Sequence, residues 1–193
     1  MIHRRITIIG CGTLGSSLAY KLGLLSLEDN SNLTSITLVD SDYLEEKNIP
    51  YLHLGKTSPL IDLPKSLALR NIIRDVNPYL KVDYVVDSYP IRSANGTLGG
   101  SLIDCRDTTN EDPNCFMKVN IDGPFGKIIL NPGEVKGKSS DYKIGNSRYY
   151  ADLLSVTVCR LLFDEEFQQK YDKERYVINL KVSMEELYEL DEC

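Results

Sequence analysis

The chain has 193 residues, 42% hydrophobic and 26% charged, enough to build a sizeable core in one domain spanning residues 1–193. A formal net charge of −6 leaves no basic face for nucleic acid, and no apolar run is long enough to cross a membrane. Five cysteines (Cys11, Cys105, Cys115, Cys159 and Cys193), with no C-x-x-C among them, indicate neither a disulfide framework nor a zinc site and fit a reducing cytoplasm.

The first element is a short apolar strand, Ile6 to Ile9, running straight into Gly10-Cys11-Gly12-Thr13-Leu14-Gly15. This is G-x-G-x-x-G between a strand and a helix, the phosphate-binding turn of a nucleotide-binding βαβ unit. Gly10 turns the chain off the strand. Gly12 lets a phosphate approach the backbone, and Gly15 lets the helix pack closely on the sheet. The helix places Leu14, Leu18, Leu22 and Leu25 on one face and ends near Leu25. A polar loop, 26–35, leads to a second strand, Ser35 to Val39, which ends on Asp40 with Asp42 two residues later. An acid at that strand end is where such a fold holds ribose hydroxyls; Asp42 by itself is equally a turn acid or a helix cap.

The stretch 49–63 reads as irregular. Pro64 suits a first helical turn, and the spacing predicts a helix over 65–76 that buries Leu69, Ile72, Ile73 and Val76 and stops at Asn77-Pro78. Lys65 then sits at the positive end of a helix dipole, where a cation gains nothing, so a phosphate or plain solvation must account for it. Strands follow at 82–86 and 101–105. The second contains Asp104, read as structural, with Asp107 beyond it as a ligand for Mg²⁺ or ribose. Further strands fit 116–121, 127–130 and 176–182. A helix fits 149–163, with Leu153, Val156, Cys159, Arg160 and Phe163 at helical spacings. Cys159 reads as a buried small hydrophobe, and Tyr149 and Tyr150 as packing residues. Ser183 to Glu186 reads as a capping box. The fold class expected is α/β, Rossmann-like and doubly wound, with a mainly parallel sheet and helices on both faces.

With these pieces placed, the chain resembles the E1-like, ThiF-type activating enzymes, which include ubiquitin-activating enzymes and bacterial relatives in molybdopterin and thiamin synthesis. Gly10, Gly12 and Gly15 match the glycine turn, Asp40 and Asp42 the D-x-D after strand two, and Asn48 the asparagine that follows it. Lys65 matches the lysine ahead of the family's N-P, and Asp104-x-x-Asp107 its D-x-x-D. The resemblance spans roughly residues 5–133.

It implies ATP- and Mg²⁺-dependent adenylation of the C-terminal carboxylate of a small β-grasp protein, ubiquitin-like or a sulfur carrier, by a cytoplasmic enzyme; homodimer and heterodimer both stay open. Asp40 would hold the ribose, with Asp42 also at the nucleotide; Lys65 and Asn48 would reach the phosphates. Lys65 and Asp107 would carry catalysis, with Asp107 positioning Mg²⁺.

The sequence departs from the family in several places. Tyr51 stands where the family has an arginine, Thr108 where it has an asparagine, and the first strand is expected to start near residue 5, without the family's arginine-bearing extension. The loop 131–147 has no thioester-forming cysteine. Arg92 and Arg106 are the available substitutes for the missing guanidinium groups. Two other readings stand beside adenylation: a catalytically degenerate E1-like scaffold subunit, and a nicotinamide-dependent oxidoreductase using only Gly10 to Gly15 and Asp40.

Overall fold

The computed structural model describes residues 4–28, 31–52, 61–88, 100–106, 119–123, 126–131, 144–169 and 175–179. Strand β1 (Arg4–Ile9) leads through the glycine turn into helix α1 (Thr13–Leu25), then β2 (Leu33–Val39), a 3-10 helix (Glu46–Tyr51), α2 (Lys65–Val76), β3 (Lys81–Val85) and β4 (Ser101–Asp104). The antiparallel pair β5 (Val119–Gly123) and β6 (Gly126–Asn131) follows, then α3 (Ile144–Phe163), α4 (Glu165–Gln169) and β7 (Arg175–Asn179). All seven strands form one sheet in the order β3-β2-β1-β4-β5-β6-β7. Four pairings are parallel and two, β4 with β5 and β5 with β6, are antiparallel. This is the α/β, Rossmann-like, mainly parallel class read from the sequence.

Strand order follows from what each strand buries. In β1, Ile6 and Ile8 on one face and Thr7 and Ile9 on the other are all buried, which requires a central position. In β3 only Val82 is buried, as suits an edge, and its exposed Lys81 and Asp83 pair with each other at 3.3 Å. Ile6, Ile8, Ile36, Leu38 and Ile103 from the sheet share one core with Leu14, Leu18 and Leu22 of α1 and Leu69 and Ile73 of α2. Each such side chain contributes roughly 1.5–3 kcal/mol by leaving water.

Helix α1 lies between α2 and α3 and touches both. Its seam with α3 is partly polar: Ser17 Oγ donates to Asp152 Oδ1 at 2.7 Å, and Lys21 Nζ bonds both Ser17 Oγ, at 3.0 Å, and Asp152. Its C-terminus is tied to the end of α2 by Asn77, whose Nδ2 donates to Ser26 Oγ at 2.9 Å. Arg4 stacks over Phe163, 4.8 Å from the ring centre, joining the start of β1 to the end of α3. No described helix is long and apolar enough to cross a membrane.

Several boundaries differ from expectation. Strand β2 begins at Leu33, because Arg4 pairs with Leu33 across a register shift and Thr34 Oγ1 donates to the Arg4 carbonyl. Helix α3 begins at Ile144, inside the stretch read as a polar loop, and of the residues noted at helical spacings it buries Cys159, as expected. Ala151, Leu154, Val158, Leu161 and Leu162 are inside, whereas Val156 is 47% exposed and Arg160 faces solvent. Tyr149, read as packing, is 40% exposed. Helix α4 was not expected; the Asp164 carboxylate caps it by accepting the Phe167 N–H at 3.0 Å. That bond, with Arg160 helping, holds the Asp164 carboxyl below its ordinary range. Residues 116–118 and 180–182 of the expected strands, and the capping box at Ser183, lie outside the described residues.

Candidate functional site

Strand order reverses around β1: the chain steps outward through β2 to β3, then returns to place β4 on the other side of β1. Ligands of open α/β sheets sit in the crevice at such a reversal, beyond the carboxyl ends of the strands. The residues there are the glycine turn after β1, Asp40 and Asp42 after β2, and Asp104 and Arg106 at the end of β4.

The three glycines do distinct jobs. Gly10 has φ +88, a conformation that side chains disfavour, and its N–H donates to the Val39 carbonyl at 2.8 Å. At Gly15 a Cβ would lie 1.8 Å from the Gly10 carbonyl oxygen, so the helix can approach the turn this closely only without a side chain. At Gly12, the N-cap of α1, a Cβ would meet nothing within 4 Å among the described residues. Among the described residues, then, the space over Gly12 is open, and the helix end beneath it has neither a side-chain cap nor an acid in its first turn. Unsatisfied amides and a positive dipole end facing open space fit a phosphate.

Asp40 is fixed rather than free to swing. Its Oδ2 accepts the Cys11 N–H at 2.6 Å and its Oδ1 accepts the Asp42 N–H at 2.8 Å. Each oxygen keeps acceptor capacity for a hydroxyl. The carboxylate thus joins the end of β2 to the glycine turn and has the chemistry to hold a ribose.

Lys65 reaches this site by a route the sequence did not show. Residues 42–44 run antiparallel to 62–65: the Leu44 N–H donates to the Leu63 carbonyl, the Lys65 N–H donates to the Asp42 carbonyl, and Tyr43 bridges Pro64. The Lys65 side chain, 13% exposed, lies at 2.8 Å from Asp42 Oδ2. The partner that its position called for is, in this structure, the Asp42 carboxylate.

Asn48 is likewise engaged. Its Oδ1 accepts the Glu45 N–H at 3.0 Å, and the Glu45 side chain accepts in return from the Asn48 backbone, a capping box that opens the 3-10 helix. The sequence signal was Glu45-x-x-Asn48, masked by Pro50 in a stretch read as irregular.

Asp104, 15% exposed, grips Arg106: Oδ1 accepts from Nε at 2.9 Å and Oδ2 from Nη2 at 2.6 Å. Asp107, the residue expected at Mg²⁺, and Arg92 lie outside the described residues. Among the described residues, no three His, Cys, Asp or Glu side chains cluster to hold a metal. Cys11 and Cys105, beside the turn, are buried, and burial pushes both thiols upward; Cys159 is pushed to about 12 for the same reason. None of the three has the character of a nucleophile.

The ThiF family model matches residues 2–105, which include the whole β1–β4 unit with Gly10, Gly12, Gly15, Asp40, Asp42, Asn48, Lys65 and Asp104. The chain belongs to the ThiF family. This ThiF-family chain matches no curated protein. Among solved structures, E. coli MccB with AMPCPP and MccA is 13% identical, with a TM-score of 0.52 over 82% of this chain and 56% of that one. PaaA is 17% identical, with a TM-score of 0.51 over 90% and 58%. These two likenesses concern the fold. The tRNA N6-threonylcarbamoyladenosine dehydratase TcdA of E. coli, in complex with AMP, is 26% identical over 44% of this chain and 31% of that one, with a TM-score of 0.37. The chain spans between 31% and 58% of the length of these structures.

Proposed function

We propose that this chain binds ATP in the crevice around Gly10, Gly12 and Gly15 and adenylates a carboxylate, that of the C-terminus of a small β-grasp protein of the ubiquitin-like or sulfur-carrier kind. Asp40 holds the ribose hydroxyls. The phosphates lie over Gly12 and the start of α1, where Lys65 and the Asn48 amide reach them, and Asp42 keeps the Lys65 ammonium on that side of the crevice. Mg²⁺, brought with ATP and met by Asp107, supplies charge neutralisation on the phosphates. A carboxylate oxygen of the substrate forms the bond to the α-phosphorus as the bond to pyrophosphate breaks. The protein's part is to hold the two reactants in line and offset the charge that develops. The family's cytoplasmic setting belongs to the same reading.

The observation that carries this reading is the largely buried Lys65 ammonium beside Asp42, next to the open end of α1. A nicotinamide site would use Asp40 and the glycines and make no use of Lys65 beyond its ion pair with Asp42. The second reading, a silent scaffold subunit, is favoured by the polar groups already engaged within the protein: Lys65 by Asp42 and the Asn48 oxygen by Glu45.

ATP–pyrophosphate exchange, run with β-grasp proteins that end in Gly-Gly, separates the two. Adenylation predicts exchange that falls by about a hundredfold or more in Lys65→Ala and in Asp107→Ala. Absence of exchange with every carrier, together with ATP binding that persists, would leave the scaffold reading. Tighter binding of NAD than of Mg-ATP would overturn both.

A further inference from the structure

We propose that Asp42 is a positioning residue: it touches no part of the nucleotide and acts through Lys65, whose ammonium it ties to the ribose-binding carboxylate of Asp40. The inference rests on the nucleotide reading of the site and deepens it, because the D-x-D resemblance alone puts both acids at the nucleotide. Three observations carry it.

One residue grips Lys65 at both ends. The Lys65 N–H donates to the Asp42 carbonyl at 2.9 Å, and Lys65 Nζ donates to Asp42 Oδ2 at 2.8 Å. The four-carbon stem is thereby closed into a loop between two fixed points. A free lysine stem has many rotamers, and ordering it costs entropy when an anion binds. Here much of that ordering precedes the ligand.

Asp42 is itself anchored. Its N–H donates to Asp40 Oδ1 at 2.8 Å, and Asp40 Oδ2 accepts the Cys11 N–H at 2.6 Å. An unbroken run of contacts leads from the glycine turn through Asp40 and Asp42 to the Lys65 ammonium. The group that holds the ribose and the group that meets the phosphates are therefore parts of one unit.

Burial and charge fit this division of labour. The Lys65 side chain is 13% exposed and that of Asp42 is 65% exposed. Lys65 opens α2, at the positive end of the helix dipole, and a carboxylate beside it offsets that cost. An ammonium has three donors and Asp42 Oδ2 accepts one, so the ion pair and a phosphate contact can coexist. A carboxylate facing the phosphates would repel them, whereas one facing the lysine aims an attraction at them.

Calorimetric titration of the full chain with adenosine and Mg-ATP tests the assignment in wild type, Asp42→Ala, Lys65→Ala and the double variant. Removing the carboxylate relieves its repulsion of the phosphates in either background, so the comparison between backgrounds isolates its action through Lys65. Asp42→Ala should be at least about threefold less favourable to Mg-ATP with Lys65 present than with Lys65 replaced, and adenosine should be unchanged. Asp42→Asn, which keeps an acceptor oxygen without the charge, should bind Mg-ATP more tightly than Asp42→Ala does. In the ligand-free protein, the nitrogen NMR resonance of the Lys65 ammonium, identified by its absence from Lys65→Ala, should be ordered in wild type and mobile in Asp42→Ala. Equal effects of Asp42→Ala in the two backgrounds would mean that Asp42 meets the nucleotide or its metal directly. That result, or an ammonium equally mobile in wild type and Asp42→Ala, would overturn the assignment and leave the nucleotide reading standing. Loss of adenosine along with Mg-ATP would overturn it too, because the substitution would then act on the whole pocket. Absence of Mg-ATP binding by wild type would remove both the assignment and the reading beneath it.

Discussion

A single methyl group distinguishes the roles of two glycines in the turn. At Gly15 it would be driven to 1.8 Å from the Gly10 carbonyl oxygen, which is backbone and cannot rotate away. At Gly12 it would meet nothing within 4 Å among the described residues, on a backbone of φ −74, which any residue adopts. Gly15→Ala should therefore cost at least about 1–3 kcal/mol, the usual penalty for overpacking, read as a lowered urea midpoint. Gly12→Ala should cost no more than about 1 kcal/mol, the preference of an N-cap for glycine over alanine, yet weaken ATP binding, because the added carbon occupies the approach to the helix end. A Gly12→Ala protein with unchanged ATP affinity would argue that phosphate does not lie there. The motif alone named both glycines; the neighbours of each decide which serves packing and which serves access.

At the scale of elements, the seam between α1 and α3 combines apolar contacts with the triad Ser17, Lys21 and Asp152. Asp152 is 41% exposed on its side chain, so its ion pair with Lys21 is partly screened and worth little by itself. Its removal also takes a partner from the fully buried Ser17 hydroxyl. Asp152→Ala should lower stability by about 1–2 kcal/mol, measured by urea unfolding, with most of the loss surviving in high salt. A loss that salt abolishes would mean that only the surface ion pair mattered. The limits of α2 were legible because Pro64 and Asn77-Pro78 punctuate it at both ends, and Lys65–Val76 is the helix found. Helix α3 has no such marks at its start. Its buried face is not one that apolar residues alone would mark: Val156 is exposed, while the small Ala151 and Ser155 are buried. The 3-10 helix and α4 are capped by Glu45 with Asn48 and by Asp164, side chains whose caps depend on local backbone that composition does not reveal.

Across the whole molecule, the three described cysteines are buried, and each should act on alkaline stability in the same direction. Burial raises the folded thiols above their ordinary value of 9.0, Cys159 to about 12. Below the unfolded value both states hold the proton and the stabilisation is complete. Above it the unfolded chain releases the proton first, so stability falls as pH rises toward the folded value. Each thiol contributes a slope on the order of 1.4 kcal/mol per pH unit in that window. The urea midpoint should drop as pH rises from 9.0 toward about 12, and Cys159→Ala should make the drop shallower. An identical slope in the variant would show that Cys159 does not titrate on unfolding.

The sequence by itself determined the α/β class, the limits of α1 at Leu25 and of α2, the glycine turn, and the family resemblance that singles out Asp40, Asp42, Asn48 and Lys65. All of these are local signals: periodicity over a few turns, punctuation by proline and glycine, and residue types at fixed spacings. Only the tertiary structure decided what those residues touch. The link between Asp40 and Cys11 spans 29 positions, and the link between Lys65 and Asp42 spans 23. The first forms because β1 and β2 pair in parallel and end on the same side of the sheet, the second because residues 42–44 run antiparallel to 62–65. The approach of Arg106 to Gly10 has the same origin, since it exists only because β4 returns to lie beside β1. Contacts of this kind are set by strand order, and strand order is fixed by which faces the packed elements bury together, a property of the assembled core rather than of any stretch of chain.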